Sequence, residues 1–101
     1  MEEIKVINNT ALLRFEVSLN DDTAMLDYRY YKKNFAIMHT EVPERMKGKG
    51  IGTKLVLAAL EFAIQQNKKI MLYCPFAFKY VKEHKAFYKY VDTEFHPAFK
   101  E

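Results

Sequence analysis

The sequence contains no tryptophan, one cysteine, three glycines and three prolines in 101 residues. A single cysteine cannot form an internal disulfide, and the three histidines lack the paired spacings that bind zinc, so a disulfide scaffold and a zinc module are excluded. No apolar run reaches the roughly 18 residues that a membrane span needs. The opening Met1-Glu2-Glu3 is acidic, whereas a secretory signal begins with basic residues. These absences predict a cytoplasmic protein that does not enter a membrane and holds no metal.

The chain does contain enough apolar material for one packed domain. Hydrophobic residues make up 50% of it and aromatic residues 15%. A chain of this size buries roughly two-thirds of its unfolded surface around one core. We predict one domain over residues 1–101, with a core at about 12–90 and a poorly ordered tail at 91–101.

Charge is divided unevenly along the chain. Residues 1–44 carry 5 basic and 8 acidic side chains, whereas residues 45–101 carry 11 basic and 5 acidic side chains. A surface that binds a polyanion is therefore expected after residue 44. Nucleic acid, anionic lipid and a phosphorylated cofactor would each satisfy this pattern.

Hydrophobic periodicity predicts the order of the elements. Apolar residues alternate over 12–19, 24–30 and 35–42, which predicts a three-stranded antiparallel meander. The period changes to 3.6 at Gly52, which predicts a helix of about 15 residues ending near Asn67. A further strand, Lys69–Cys74, then lies parallel to residues 35–42.

Pro75 suits the first position of a second helix. The face of that helix would consist of Ala77, Tyr80, Val81, His84 and Tyr88. The predicted fold class is α+β, a small, mostly antiparallel sheet with one parallel β-α-β crossover and helices packed on it.

The residues between the third strand and the first helix indicate a phosphate site. Glycines 48, 50 and 52 stand where the helix begins, so the backbone can approach a ligand and the first helical amides are free to bind an anion. The cations Arg45, Lys47, Lys49 and Lys54 accompany them. Neither a P-loop nor a dinucleotide motif fits, because both require glycine where Thr53 stands.

The run Glu41–Gly52 resembles the acetyl-CoA-binding motif R/Q-x-x-G-x-G/A of the GCN5-related N-acetyltransferases (GNATs). Arg45, Gly48 and Gly50 occupy its three fixed positions. With the segments Cys74-Pro75-Phe76 and His84-(x)3-Tyr88, the likeness extends over about residues 12–90. The chain is similar to the short single-domain branch of that superfamily, which implies a GNAT-like fold.

The resemblance also implies a cosubstrate, acetyl-CoA, and a reaction that needs no metal. Pantetheine would lie between the two parallel strands and the diphosphate would meet the amides of residues 46–52. The implied contacts are Thr40, Glu41, Val42, Arg45, Met46, Lys47, Gly48, Lys49, Gly50, Ile51, Gly52, Thr53, Cys74, Phe76 and Tyr80. An acceptor amine would attack the thioester, while a side chain or water removes its proton.

Four side chains are candidates for the chemistry. Cys74 would lie at the start of the second helix, where the helix dipole lowers a thiol pKa, and would serve as an acyl relay, a leaving-group acid or a redox-sensitive site; the alternative is a buried packing residue. His39 shares a predicted face with Ile37 and Glu41, and either His39 or Glu41 would act as general base. The alternatives are a core histidine and a solvated carboxylate.

Tyr88 resembles the helix tyrosine that protonates the departing thiolate in many acetyltransferases. The asparagine usual about two turns earlier is replaced here by Val81. Packing in the core or against the cofactor is the favoured interpretation for both Tyr80 and Tyr88.

Three functions remain open at this stage. The leading one is an N-acetyltransferase that moves an acetyl group from acetyl-CoA to an unidentified amine. The alternative is a non-catalytic acetyl-CoA-binding or sensing module. Nucleic-acid binding is the weakest, because the charge clusters at one loop.

The resemblance also bears on the acceptor. A direct turn at Asn20–Thr23 replaces the two helices of ordinary GNATs, which leaves an open surface suited to a protein amine or a polyamine-like cation. We expect a monomer or weak dimer.

Overall fold

The computed structural model describes residues 4–100; residues 1–3 and 101, which the single-domain prediction includes, lie outside the described residues. Five strands and two α-helices occupy this range, namely β1 (Ile7–Asn9), β2 (Arg14–Leu19), β3 (Asp22–Tyr31), β4 (Asn34–Glu41), α1 (Ile51–Gln65), β5 (Lys69–Leu72) and α2 (Pro75–Lys82). Short 3-10 helices cover Glu44–Met46, Lys85–Tyr90 and Pro97–Phe99. Neither α-helix in this part of the chain is long and apolar enough to cross a membrane.

The strands form one sheet in the order β1-β2-β3-β4-β5. Each neighbouring pair from β1 to β4 is antiparallel, whereas β4 and β5 are parallel and joined through α1. The predicted meander, crossover and α+β class are therefore confirmed. β1 was not predicted, because its Ile-Asn-Asn sequence shows no alternation of apolar and polar residues.

The core lies between α1 and one face of the sheet. α1 buries residues spaced three and four apart, which are Ile51, Leu55, Val56, Ala59, Leu60 and Ala63. Phe62 of this helix contacts the rings of Phe15, Tyr28 and Phe35, with centroid distances of 5.7, 5.9 and 6.0 Å. Such ring pairs each contribute about 0.5–1.5 kcal/mol beyond their buried area, so this cluster fixes the helix on the sheet.

An irregularity in the pairing of β3 with β4 reverses the faces of the last β4 residues. Tyr28 pairs with Ile37, but Asp27 pairs with His39, so β4 has one extra residue, Met38. Such an extra residue is a β-bulge, and it shifts the alternation of side chains by one. The prediction that His39 shares a face with Ile37 is therefore wrong. Thr40, paired with buried Leu26, takes the inward face instead.

The predicted face of the second helix is only partly correct. α2 begins at Pro75 as predicted but ends at Lys82. Tyr88 lies instead on the following 3-10 helix, and its hydroxyl donates a hydrogen bond to the Lys82 carbonyl at 2.6 Å. The chain therefore turns before Tyr88. The Tyr88 ring packs against Phe99, whereas the Tyr80 ring stacks on His84.

For residues 91–100, the prediction of a poorly ordered tail is also wrong. Val91 forms a parallel bridge with Ile70, and the Asp92 N–H donates to the Ile70 carbonyl at 2.9 Å. Phe99 is fully buried, with its ring 5.0 Å from that of Tyr88. The C-terminal segment therefore covers the outer edge of β5. Its apolar residues follow no single period, which is why sequence alone missed it.

A histidine ties this segment to the sheet. His96 Nε2 accepts the backbone N–H of Leu72 at 2.8 Å, and this bond requires that nitrogen to be unprotonated. Burial lowers the pKa of His96, and the nearby Asp92 carboxylate opposes that shift in part. Folding therefore favours the neutral imidazole.

We expect the free energy of unfolding to decline as the pH falls through 6.5, the ordinary pKa of histidine. In this range His96 takes up a proton more readily in the unfolded chain than in the folded chain. The stabilising contribution of neutral His96 is therefore fully present above pH 6.5, and it is lost as the pH falls toward the lowered pKa of the folded state. His96→Gln retains a hydrogen-bond acceptor but cannot be protonated, and should flatten this dependence in urea titrations at about pH 7.5 and about pH 5.5. His39→Gln is the control. Equal slopes for wild type and His96→Gln would refute the assignment.

Candidate functional site

β4 and β5 separate before β4 ends. Their pairing runs from Asn34 with Lys69 to Ile37 with Leu72, while β4 continues beside β3 as far as Glu41. The N–H groups of Tyr73 and Cys74 both donate to the Ile37 carbonyl, at 2.9 and 3.1 Å, as the chain leaves β5. One side of the β4 main chain beyond Ile37 therefore borders a gap.

A glycine-containing loop closes one end of this gap. Gly48 and Gly50 have φ of 82° and 74°, which residues with a side chain rarely adopt. Gly50 is the N-cap of α1, and its carbonyl accepts the Lys54 N–H at 3.1 Å. The amides of residues 51–53 precede the first intrahelical bond, so they have no acceptor within the helix. With the positive end of the helix dipole they form a site for an anion.

The strand edge and the helix start meet at one cavity of about 540 Å³, which we call the gap cavity. Most of the predicted cofactor contacts line it, namely Thr40, Glu41, Val42, Met46, Lys47, Gly48, Gly50, Ile51, Gly52, Thr53 and Phe76. Apart from the adjoining residues, no heavy atom of the described chain lies within 4 Å of where a Cβ of Gly48 or Gly50 would stand, so both glycines face open space.

Gly52 has a different role from the other two glycines. A Cβ at Gly52 would lie 3.1 Å from the ring of Phe76 and 3.8 Å from a methyl group of Val42. The missing side chain thus lets α2 bring Phe76 against the start of α1. That ring remains 45% exposed and forms a wall of the gap cavity. Sequence reasoning assigned Gly52 to phosphate approach and missed this packing role.

Of the four cations named from the sequence, Lys47 lines the gap cavity, whereas Arg45, Lys49 and Lys54 do not belong to its lining. Arg45 pairs with Asp22, with Nε 3.0 Å from Oδ2, and its side chain is 77% exposed. Arg45 and Lys49 line a neighbouring depression of about 50 Å³. Arg45 Nη2 also donates to Oδ1 of Asp22 at 3.3 Å, so two contacts hold the guanidinium at this carboxylate.

Cys74 lies directly behind the cavity wall. Its side chain is buried, and Sγ is 3.2 Å from Oγ1 of Thr40, which does line the cavity. The bulge in β4 is what turns Thr40 toward Cys74. Tyr80 lies outside the lining and stacks on His84 with a centroid distance of 4.0 Å.

The structure separates the candidate catalytic groups from one another. His39 and Glu41 are neighbours, with Nε2 3.6 Å from Oε2, but their side chains are 61% and 64% exposed on the sheet face opposite to Thr40. Tyr88 packs against Phe99 and bonds to the Lys82 carbonyl. Cys74, Tyr88 and the His39–Glu41 pair therefore do not form one hydrogen-bonded constellation. Of the candidate catalytic residues, Glu41 lines the gap cavity, and Cys74 lies behind Thr40, which also lines it.

Residues 14–91 match the family model described as GCN5-related N-acetyl-transferase. This chain belongs to the GCN5-related N-acetyltransferase family. Protein NATD1 of Xenopus tropicalis is 39% identical over 84 residues, which cover 80% of this chain and 77% of the frog protein. Protein NATD1 of Homo sapiens is also 39% identical over 84 residues, which cover 80% of this chain and 74% of the human protein.

A solved structure supports the fold of this family member. An NMR structure of a GCN5-like protein from Staphylococcus aureus superimposes with a TM-score of 0.71 and covers 91% of both chains. The two sequences are 24% identical, so this likeness concerns the fold alone. The GNAT-like fold expected from the sequence is confirmed.

Replacing Gly50 should separate the backbone role from the cavity role. Gly50→Val should lower the free energy of unfolding by about 1–2 kcal/mol, because a β-branched residue is strained at positive φ. Gly50→Asn should cost less, since asparagine tolerates that conformation. Gly48→Asn, at the other glycine of this loop with a positive φ, is the matched variant and should also cost little. Urea unfolding measures all three, and equal losses for Gly50→Val and Gly50→Asn would contradict the strain argument.

Proposed function

We propose that this chain binds acetyl-CoA in the gap cavity and transfers its acetyl group to an amine. The observation that carries the proposal is the meeting of two elements at this cavity. These are the unpaired edge of β4 and the free amides at the start of α1, with Gly48 and Gly50 facing open space between them. The family to which the chain belongs supports the same ligand.

The loop and helix start, residues 46–53, would hold the diphosphate, and we call them the cradle. Backbone amides donate to an anion without the entropy cost of ordering long side chains. Lys47 adds a positive charge, with its ammonium 3.4 Å from the Glu44 carboxylate and still 63% exposed. Glu44 would have to release that ammonium for it to meet a phosphate, and an exposed pair of this kind separates at little cost.

The edge of β4 would hold the pantetheine arm. Thr40, Glu41 and Val42 line the cavity beyond the last β4–β5 pair, where β5 no longer covers the main chain of β4. An extended arm with amide groups can add to such an edge as a further strand would. The exposed ring of Phe76 supplies apolar contact on the opposite wall.

When bound, acetyl-CoA would supply a thioester carbonyl that an amine can attack. His39 and Glu41, on the open face of the sheet, are the groups able to take a proton from an amine that arrives from that side. The β2–β3 connection is a direct turn between Leu19 and Asp22. The open face suits a large acceptor, such as a protein amine or a polyamine-like cation.

Titration with acetyl-CoA followed by NMR tests the binding step. We expect saturable shifts in the amide resonances of the cradle and of residues 39–42. Gly50→Asn, which keeps the backbone conformation but adds a side chain where phosphate would lie, should weaken binding about tenfold or more. Unmoved cradle resonances at millimolar ligand would overturn the proposal.

A second candidate is acetyl-CoA binding without transfer. The observation that favours it is the separation of His39 and Glu41 from Cys74 and Tyr88. Acceptor-dependent release of CoA across a panel of amines distinguishes the two functions. Turnover that falls in His39→Gln or Glu41→Gln, with acetyl-CoA affinity unchanged, supports the transferase; tight binding with no turnover for any amine selects the binding module.

The thiol has a separate test. Cys74→Ala should retain acetyl-CoA binding, because Cys74 lies behind Thr40 and does not line the gap cavity. Cys74→Ser, which places a hydroxyl where the thiol lies beside Thr40, is the matched variant. A loss of transfer in Cys74→Ala with unchanged affinity would assign the thiol to the reaction, whereas unchanged transfer leaves it a packing residue.

A further inference from the structure

The cradle accounts for only part of the positive charge that follows residue 44. Four further lysines lie around the outer edge of β5 and the C-terminal segment, and we call them the lysine cluster: Lys69, Lys82, Lys89 and Lys100. In residues 4–100, none of the four has a carboxylate within salt-bridge distance. Like charges gathered without counter-charges destabilise a surface, so this arrangement favours an anion.

Two of these ammonium groups are fixed by backbone carbonyls. Lys69 donates to the Lys89 carbonyl at 2.9 Å, and Lys82 donates to the Ala98 carbonyl at 2.8 Å. The Lys82 ammonium also lies 5.6 Å from the ring centre of Tyr88 and 5.2 Å from that of Phe99. Carbonyls and ring faces leave the full positive charge in place, and each ammonium retains further N–H donors.

A cavity of about 350 Å³ lies within the cluster. Its lining includes three cations, Lys69, Lys89 and Lys100, together with the hydroxyl-bearing Thr93. Tyr88, Val91 and Phe99 contribute the aromatic and apolar part, and no acidic residue belongs to the lining in the described chain. The volume lies within the range of small-molecule sites. It is formed by the C-terminal segment that the sequence pattern did not predict.

We propose that this cavity is a second anion site, separate from the gap cavity, that binds a small ligand carrying two or more phosphate groups. Three lysines match a charge of that size, because lysine ammonium groups bind phosphate as point charges. Thr93 adds a neutral donor. The site does not depend on acetyl-CoA binding, and it gives the basic second half of the chain a use beyond the cradle.

Pyrophosphate is the probe, and NMR of the full chain resolves the two sites. We expect saturable shifts at the amides of Lys69, Lys89, Thr93 and Lys100, read separately from any shifts in the cradle. Sodium chloride at matched ionic strength is the control for screening. Shifts that grow linearly and equally with both salts would overturn the proposal.

Matched charge removals sharpen the test. The double variant Lys89→Met and Lys100→Met should weaken pyrophosphate binding about tenfold. The double variant Lys79→Met and Lys85→Met removes the same charge outside the cavity and should change the affinity less than about twofold. Equal weakening in the two variants would show a general charge effect and refute the site.

A comparison of pyrophosphate with a single-stranded oligonucleotide distinguishes a small phosphorylated ligand from a nucleic acid. A single-stranded oligonucleotide that shifts the same resonances, when pyrophosphate does not, would overturn the small-ligand assignment in favour of a nucleic-acid surface. Pyrophosphate should also raise the thermal midpoint of the wild type, since a ligand of the folded state stabilises it, and should raise that of the Lys89 and Lys100 double variant less.

Discussion

The Ile37 carbonyl is the point on which the architecture of the site depends. It accepts the N–H groups of both Tyr73 and Cys74, so β5 leaves the sheet there while β4 continues. One residue later the bulge at Met38 reverses the faces of β4 and turns Thr40 inward. Because these two events are adjacent, an unpaired strand edge and a polar side chain arrive together opposite the start of α1. A regular β4–β5 ladder to Glu41 would have left no gap for a ligand.

Most of the fold could be predicted from local patterns. The alternation over β2, β3 and β4 and the 3.6-residue period of α1 each lie within one segment, so sequence alone gave their order and, through the crossover rule, the parallel pairing of β4 and β5. The cradle could also be found, because positive φ and close backbone approach select glycine, as Gly48 and Gly50 show. The cradle would bind an anion through backbone amides, and the positions of these amides are set by the loop and by the start of α1.

What sequence missed depends on contacts between distant segments. The bulge at Met38 is a property of the pairing between β3 and β4, and the pattern of either strand alone does not indicate it. Burial of Phe99 depends on Tyr88, and the Leu72–His96 bond joins residues 24 positions apart. Gly52 is informative for the same reason, since its neighbour Phe76 comes from another helix. The errors about His39 and the C-terminal tail therefore share one physical origin.

The two steps of the proposed activity, binding and transfer, depend on different parts of the chain. Binding depends on backbone groups and transfer on side chains. Binding would rely on amides and a strand edge, which the fold supplies with little dependence on side-chain identity. Transfer would instead require a proton acceptor positioned near the incoming amine, and His39 and Glu41 are both mostly exposed with no rigid support visible in the described residues beyond their mutual contact. An exposed base of this kind becomes effective only when the acceptor itself positions it. The acceptor would then help to form the catalytic geometry. This agrees with the exposed sheet face on which His39 and Glu41 lie.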